Sequence, residues 1–471
     1  MRHSVRGKNK TFQQVSIIDT ADEGLAIGRC EDGLIIQVKG AVPGDVIDAV
    51  AIEKRKGMYI AVPTNITTYS KDRTDPFCSH FGVCGGCKWQ HMTYEAQVRF
   101  KEKKVHDAYR RIGELDTNLI EPIVAAPMQT YYRNKMEFTA SDRRWLTTEE
   151  MQRLDTIEDK EGIGFHLSGA FDKVLDLQHC YLQADPSNDI RQYIKRICKE
   201  NQWSFFNLKS KLGFIRNVIV RLTIAGDVMV VLVVGEDDHE KIRTLTAGLH
   251  NTFPKIISIY SCINVKVNDS IHDLPCKLEY GETGLLETLG TTHYTIGPKS
   301  FFQTNSLQAQ TLYQLTKQLA TLNKSDVVYD LYCGVGSLGL FMADACKRVV
   351  GIEQISEAID DAHLNARINK IENADFVVGQ VELILDPNFI GRYGKPNVII
   401  TDPPRAGMHA DVIKHMLLAD PERIVYVSCN PATQARDLKL LSEKYNLQLA
   451  IPVDMFPHTH HIECIALLHR K

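Results

Sequence analysis

Long hydrophobic runs are missing from this sequence. The longest uninterrupted apolar run, Val228 to Val234, is far shorter than the roughly 20 residues that a membrane-spanning helix needs. The first residues also lack the apolar core of a secretory signal. These absences predict a cytoplasmic protein that makes no membrane contact.

A strong net charge of either sign is missing as well. The formal net charge is −3 over 471 residues, so composition alone does not indicate a nucleic-acid-binding protein. Basic residues nevertheless cluster in the first residues, at 54–56 and between Arg99 and Arg111. Each cluster alone is typical of a solvated surface. Together, in the first quarter of the chain, they make a surface that faces phosphates plausible.

Cysteine is abundant, but we do not expect disulfides. In a reducing compartment the 12 cysteines should be thiols, metal ligands or nucleophiles. Cys78, Cys84 and Cys87 lie within ten residues, with two glycines between the last two, which points to a metal. The wide first gap fits zinc poorly, but spacing alone leaves zinc and an iron–sulfur cluster equally open and still allows that no metal binds. The candidate fourth ligands are His80, His91 and Cys180.

Three stretches of the chain differ in their patterns, and the chain is too long for one core. Residues 1–68 contain short β-rich runs with Gly turns, which predicts a small OB-like β-barrel that binds polymers or caps the structure. Residues 69–310 mix helical and strand-like runs, which predicts an α+β central domain with an exposed insertion near 143–160. Residues 311–471 alternate strands and helices, which predicts a Rossmann-like, doubly wound α/β domain with an antiparallel last strand.

Chemically informative residues follow several predicted strands of the third stretch. The pattern Gly-x-Gly-x-x-Gly, from Gly334 to Gly339, follows one strand and precedes a helix, as in dinucleotide-binding enzymes. Glu353 ends the next strand, where a carboxylate can accept hydrogen bonds from ribose hydroxyls. These features suit NAD and S-adenosylmethionine (SAM) equally, so an NAD-dependent oxidoreductase is one hypothesis.

Two further features favour SAM. Asp330 precedes Gly334 by four residues, a methyltransferase-like spacing, and Asp402 with the two prolines after it can line a pocket for a flat base. Cys429 ends another strand, because the following Asn and Pro431 stop it. A cysteine in a strand is often only a small buried hydrophobe. Here, however, several strands end on functional side chains that share one edge of a parallel sheet, where ligands bind.

These motifs resemble those of the RNA uracil-C5 methyltransferases, and within them the iron–sulfur, TRAM-domain branch that modifies 23S ribosomal RNA. The likeness extends over nearly the whole chain. The motifs that carry it are the three clustered cysteines, 132–135, 302–305, 330–336, 402–407, 428–431 and 461–463. Gln380 departs from the family pattern, in which Asn or an acid is frequent at this position.

The resemblance implies SAM-dependent methylation of uracil C5 in RNA, with 23S ribosomal RNA as the first expected substrate and transfer RNA as the alternative. It implies that Cys429 is the nucleophile that adds to uracil C6 and that Glu463 is the base. The residues that it assigns to SAM are Gln303, Tyr332, Gly334, Glu353 and Asp402. It also implies a [4Fe–4S] cluster with Cys180 as the fourth ligand beside Cys78, Cys84 and Cys87. The target base must leave its stack to reach Cys429, so we expect an unpaired loop uridine as the substrate. We also expect the enzyme to be a monomer.

Overall fold

The computed structural model of the chain describes residues 10–146, 148–152, 159–167 and 170–471. Residues 147 and 153–158 of the predicted insertion, and most of the basic N-terminal cluster, lie outside the described residues. The chain divides into two compact units. The first comprises the described residues up to Lys104 together with Phe456–His461, and the second comprises Val105–Met455 with Ile462–Lys471. Within the described ranges, no helix combines the length and apolar character that a membrane span requires.

The first unit contains a closed β-barrel. Its strands are β1 (Thr11–Thr20), β2 (Ala26–Arg29), β3 (Ile35–Val38), β4 (Val46–Arg55) and β5 (Met58–Thr68). They are hydrogen-bonded in the order β1-β2-β3-β5-β4. Side chains alternate between the interior and the surface, as the pleat requires, and Val15, Ile36 and Ile47 are fully buried inside. The predicted N-terminal barrel is therefore confirmed.

A turn-rich segment follows the barrel and leads to helix α1 (Tyr94–Ala108), which begins in the first unit. Asp45 fixes the start of this segment to the barrel. Its buried carboxylate accepts hydrogen bonds from the backbone N–H groups of Val42 (2.7 Å) and Ser70 (2.9 Å) and from the Arg73 guanidinium (2.7 Å). A buried carboxylate is stable when it is satisfied in this way.

The second unit contains a mixed central sheet. Its strands are β6 (Lys135–Ser141), β7 (Gly162–Leu167), β8 (Ala170–Asp176), β9 (Ile215–Leu222), β10 (Val228–Val234), β11 (Ile256–Ile263) and β12 (Cys276–Gly281). Helices α2 (Thr148–Met151), α3 (Ser187–Glu200) and α4 (His239–Thr252) belong to the same region. The strand order is β12-β11-β10-β9-β6-β7-β8. The longest apolar run of the sequence forms β10, whose residues are all buried, and β10 pairs antiparallel with β9.

A hairpin of β13 (Leu285–Leu289) and β14 (Thr292–Ile296) connects to the C-terminal sheet. The strands of that sheet are β15 (Val327–Leu331), β16 (Arg348–Glu353), β17 (Ala374–Val378), β18 (Val398–Thr401), β19 (Arg423–Ser428), β20 (Tyr445–Val453) and β21 (Glu463–Arg470). The associated helices are α5 (Ser306–Ala320), α6 (Ser337–Met342), α7 (Ser356–Ile368), α8 (Val381–Ile384), α9 (Pro387–Tyr393), α10 (Ala410–Ala419) and α11 (Pro431–Leu441). Short helical turns lie at Asp22–Gly24, Tyr109–Gly113, Thr117–Leu119 and Ala343–Ala345.

The C-terminal sheet has the order β17-β16-β15-β18-β19-β21-β20. Strands β15 to β19 are parallel, and β21 runs antiparallel to β19 and β20. The central strands are buried, as a parallel sheet with both faces covered requires. The predicted fold class, with a Rossmann-like C-terminal domain, a mixed central region and an N-terminal barrel, is confirmed. The domain boundaries at 68/69 and 310/311 stay a prediction.

Candidate active site

Several of the predicted site residues lie at the edge of the sheet that is formed by the carboxyl ends of the parallel strands. Glu353 is the last residue of β16, Asp402 follows β18, and Cys429 follows β19. Strand β15, which leads into the glycine loop, lies between β16 and β18, where the strand order changes direction. Ligands of open α/β sheets bind at such a switch point.

Glu463 reaches the same edge from the opposite direction. It is the first residue of β21, which pairs antiparallel with β19. The pairing of Ser428 with Cys464 brings the next residues, Cys429 and Glu463, to facing positions at the lip of the sheet. The two residues predicted for catalysis are therefore neighbours across one strand pair. No local sequence pattern specifies that pairing.

Gly334 is the glycine of the loop with open space around it. Its φ is +53°, and a Cβ built on it would meet no atom within 4 Å. Its N–H donates to Glu353 Oε2 (3.2 Å), while the N–H of Ile355 donates to Glu353 Oε1 (3.0 Å). The two bonds orient the Glu353 carboxylate at the end of β16. Both oxygens keep lone pairs that can accept bonds from ribose hydroxyls.

The other two glycines of the loop are required by packing. A Cβ on Gly336 would lie 2.8 Å from the Phe376 ring, and a Cβ on Gly339 would lie 2.8 Å from Asp330 Oδ2. The N–H of Gly339 donates to that same oxygen at 2.8 Å. Asp330 is only 1% exposed, so its carboxyl holds the loop against the start of α6.

Tyr332 has an unusual backbone conformation. Its φ of +64° lies in the left-handed region, which is unfavourable for a residue with a side chain. Its half-buried side chain packs against the core of the C-terminal sheet. Strained backbone of this kind is concentrated at functional sites, which is consistent with the predicted role of Tyr332 in binding SAM.

The segment that carries Gln303 is fixed by a partly buried hydrogen-bond network. Asn134 Nδ2 donates to the backbone carbonyl of Gln303 and to Ser306 Oγ, both at 2.8 Å. Ser306 Oγ in turn donates to Glu287 Oε2 at 2.6 Å. Asn305 caps the N-terminus of α5 by accepting from the N–H of Gln308. Asn134 belongs to the motif 132–135, and its amide has a structural role, since it holds residues 303 and 306 in place.

Contacts of Phe302 connect this segment to the glycine loop. The Phe302 ring lies 5.6 Å from the Tyr294 ring, and Tyr294 Oη donates to the carbonyl of Ser337 at 2.8 Å. Ser337 is the first residue of α6 and directly follows Gly336. Gln303 is thus tied to the same edge of the sheet as the glycine loop. Gln380, which departs from the family pattern, follows β17 at this edge as the N-cap of α8.

Acidic groups crowd this edge. Burial raises the pKa of Asp402 to about 7. Burial also raises the pKa of Asp330 to about 7, with the charges of Asp402 and Glu353 adding to the effect. The pKa of Glu463 lies well above its usual range because of burial and then the charge of Asp402. Burial therefore shifts these three carboxyls towards the protonated form compared with carboxyls exposed to water.

The Cys429 thiol shares this environment. Burial, followed by the charges of Glu463 and Asp402, raises its pKa to about 11. Arg405 acts in the opposite direction through its charge and a hydrogen bond to the thiol, and its charge also lowers the pKa of Glu463. Arg405 was not among the predicted site residues, although it lies in the motif 402–407. The feature of the sequence that could have indicated a role for Arg405 was its position next to Pro404 in that motif.

The turn that carries Arg405 is held by the start of α11. The carbonyl of Arg405 accepts from Asn430 Nδ2 (3.0 Å) and from Thr433 Oγ1 (3.2 Å). Asn430 also caps α11 by accepting from the N–H of Ala432. Asn430, which directly follows Cys429, and Thr433 therefore hold the backbone of Arg405 beside the start of α11.

The predicted metal ligands lie in different units. Cys78, Cys84 and Cys87 are half-buried in the turn-rich segment between β5 and α1, and the N–H of Gly86 donates to Cys84 Sγ at 3.5 Å. Cys180 is buried in the second unit, where Asn188 bonds to both its N–H (2.8 Å) and its carbonyl (3.2 Å). Among the described residues, no group of three or more His, Cys, Asp or Glu side chains is arranged to hold a metal ion. The predicted metal centre is therefore not confirmed.

Comparison with known proteins identifies the family. Residues 224–386 and 389–471 match the model of the tRNA (uracil-5-)-methyltransferase family. The chain is 46% identical over 452 residues to an uncharacterized RNA methyltransferase of Bacteroides thetaiotaomicron, covering 95% of this chain and 99% of the relative. It is 44% identical over 464 residues to one from Porphyromonas gingivalis, covering 97% and 100%.

A solved structure extends the likeness to the fold. The tRNA (uracil-54, C5)-methyltransferase of Pyrococcus abyssi, in complex with S-adenosyl-L-homocysteine, matches with a TM-score of 0.74 and 28% identity, covering 96% of this chain and 100% of that chain. These matches give no support to the hypothesis of an NAD-dependent oxidoreductase. The chain therefore belongs to the tRNA (uracil-5-)-methyltransferase family and is a SAM-dependent RNA (uracil-5-)-methyltransferase.

Proposed function

We propose that this enzyme methylates uracil C5 through a covalent bond between Cys429 Sγ and uracil C6, and that Glu463 then removes the C5 proton. The observation that carries this proposal is the register of β19 and β21, which brings Cys429 and Glu463 together at the ligand-binding edge. A nucleophile beside a proton acceptor at a strand lip is the arrangement that covalent catalysis needs.

The chemistry gives each residue a separate step. Uracil C5 is a poor nucleophile, but addition of the Cys429 thiolate to C6 makes C5 enolate-like and reactive. SAM supplies the methyl group when it is bound. Glu463 accepts the proton from C5, and the electrons of that C–H bond re-form the C5–C6 double bond as the S–C6 bond breaks. Cys429 leaves as a thiolate, and the enzyme is regenerated.

The proton states of the two residues are coupled. A charged Glu463 is one of the causes that raise the pKa of Cys429, so the thiolate is favoured while Glu463 is protonated. The raised pKa of Glu463 favours that protonated state near neutral pH. Arg405 is exposed beside both groups and stabilises the anion in each case. Glu463 must lose its proton before it can act as the base.

We assign the SAM site to Gln303, Tyr332, Gly334, Glu353 and Asp402. The residues fit such a ligand, because Gly334 leaves open space and Glu353 presents an oriented carboxylate at the switch point of the sheet. Glu353 would bind the ribose hydroxyls, and the backbone at Gly334 allows the ligand to approach closely.

A denaturing gel with labelled RNA and SAM tests the covalent mechanism. Cys429→Ala should give neither methylation nor an RNA–protein adduct. Glu463→Gln keeps the shape of the side chain but cannot accept the C5 proton, so a methylated RNA adduct should accumulate. Turnover by Cys429→Ala would refute the covalent mechanism. Absence of the adduct from Glu463→Gln, with RNA binding intact, would remove Glu463 from the role of base.

For the substrate we propose an unpaired loop uridine of 23S ribosomal RNA, as the resemblance implies. Transfer RNA is the second candidate, favoured by the tRNA substrate in the name of the Pyrococcus abyssi enzyme. The barrel, which we propose as a TRAM-like RNA-binding domain, offers Lys10 and Lys54 over the Tyr59 ring at 5.2 and 4.6 Å. Mass mapping of 5-methyluridine in ribosomal and transfer RNA from a strain without the gene decides between the two substrates.

We also propose that Cys78, Cys84, Cys87 and Cys180 hold a [4Fe–4S] cluster with a structural role. In favour of this, three of the four thiols lie close together in sequence in one half-buried segment of turns. The N–H···S bond from Gly86 to Cys84 is of the type that tunes iron–sulfur clusters. The assignment of Cys180 rests on the family resemblance.

A further inference from the structure

Two cysteines that the proposed reaction does not use lie opposite each other at the edge of the central sheet. Cys262 in β11 and Cys276, the first residue of the edge strand β12, are direct partners in the antiparallel ladder. Directly opposed residues of antiparallel strands have Cα atoms about 4.5 or 5.5 Å apart. Disulfides join Cα atoms that are about 4.4–6.8 Å apart. The backbone thus holds this pair at a separation that a disulfide spans.

The two thiols differ in access and in acidity. Cys262 is 1% exposed, whereas Cys276 is partly exposed. A hydrogen bond between the two thiols is the largest cause that lowers the pKa of Cys276, and Lys299 lowers it further. The thiolate is the reactive form of cysteine, so Cys276 is the better nucleophile of the pair. The buried Cys262 is in position to attack a mixed disulfide formed at Cys276.

We propose that Cys262 and Cys276 form a reversible disulfide in response to low-molecular-weight disulfides such as oxidised glutathione. The Cys276 thiolate attacks one sulfur of oxidised glutathione, which gives a mixed disulfide and releases one glutathione thiolate. Cys262 then gives its proton to solvent and attacks Cys276 Sγ, which releases the second glutathione. The protein pair loses two electrons, and these reduce the glutathione disulfide to two thiols.

The loop between the two cysteines is already ordered in the thiol form. The guanidinium of Arg216, itself 1% exposed, donates to the carbonyls of Asn264 (2.7 Å), Lys266 (2.7 Å) and Asn268 (2.8 Å). Lys299 Nζ donates to two further carbonyls of the loop, at 3.1 and 3.3 Å. Since these bonds do not involve either thiol, oxidation should not require the loop to rearrange.

The test uses the full-length native protein in buffers of defined ratio of reduced to oxidised glutathione. Remaining thiols are trapped by alkylation, and peptides are mapped by mass spectrometry without reduction. We expect a linked peptide pair containing Cys262 and Cys276, which disappears when excess reduced glutathione is restored. A linked pair that forms only after denaturation, or no linked pair while other thiols become glutathionylated, would overturn the proposal.

Two single variants separate the roles of the thiols. In Cys262→Ser the reaction should stop at the mixed disulfide, so that glutathione stays attached to Cys276. Cys276→Ser should leave Cys262 unmodified because that thiol is buried. Cys198, a buried thiol whose pKa burial raises to about 12, is the internal control and should remain unmodified in every sample. Glutathionylation of Cys262 in Cys276→Ser at the rate of Cys276 in the wild type would contradict the proposed order of attack.

Discussion

Arg405 is the residue on which the proposed chemistry of Cys429 depends most directly. Burial and two carboxylates raise the pKa of the thiol to about 11, and Arg405 lowers it. Because the folded pKa lies above that of an ordinary cysteine, the thiolate fraction at pH 8 is small and falls further if Arg405 is removed. We expect Arg405→Gln to slow alkylation of Cys429 by iodoacetamide at pH 8 roughly tenfold, the lower end of a charge-assisted hydrogen bond of ~1.5–3 kcal/mol.

The pH profile of this alkylation distinguishes an electrostatic role from a structural one. In Arg405→Gln the rise in rate should move to higher pH, whereas Arg405→Lys keeps the charge and should stay nearer the wild type. SAM binding and the thermal unfolding midpoint should change little in either variant. A profile that stays in place, or that moves to lower pH, would show that Arg405 does not stabilise the thiolate.

At the scale of elements, the segment 303–306 depends on a distant strand. Asn134, just before β6, bonds to the carbonyl of Gln303 and to Ser306 Oγ. We expect Asn134→Ala to remove both hydrogen bonds, each of which contributes about 1 kcal/mol to stability. The loss should release Gln303 and weaken SAM binding roughly tenfold or more. Calorimetric titration with SAM measures this effect. The affinity of Glu353→Ala, which removes a proposed direct contact with SAM, is the reference for a large loss of binding.

A matched asparagine serves as the control. Asn201 at the end of α3 also donates from its side chain to a backbone carbonyl, that of Ile197 at 2.9 Å. Asn201→Ala should therefore leave SAM affinity at the wild-type value. If Asn134→Ala binds SAM as tightly as Asn201→Ala does, the network around Gln303 has no part in cofactor binding.

The same network shows that strands could be predicted from the sequence, whereas contacts between distant residues could not. The strands β15, β16, β18 and β19 could be predicted because each is an apolar run that ends on Gly, Pro or a functional side chain. The contact of Asn134 with Gln303 joins residues that are 169 positions apart, and no local pattern encodes it. The effect of Arg405 on Cys429 was missed for the same reason, since it depends on how two loops pack at the edge of the sheet.

At the scale of the whole molecule, the cysteine-rich segment after the barrel is where we propose a metal centre. Cys84 lies between its two motif partners and is half-buried in a segment of turns, where its N–H donates to the carbonyl of His80 at 2.9 Å. If a [4Fe–4S] cluster binds there, its coordination energy contributes directly to folding, as in other small metal sites. The cluster would then add to the stability of the turn-rich segment that holds Cys78, Cys84 and Cys87.

We therefore expect anaerobically purified wild-type protein to be brown, with about four iron and four sulfide per chain. Cys84→Ser should lose the colour and the iron and should unfold at lower temperature, because the segment loses its metal ligand. Cys30→Ser is the matched control: Cys30 is a half-buried thiol of the same unit, in the turn after β2, and its loss should leave iron content unchanged. If the wild-type protein is colourless and contains stoichiometric zinc, the site is a zinc site and the iron–sulfur assignment is wrong. If both variants lose iron equally, the binding of the metal does not depend on this motif.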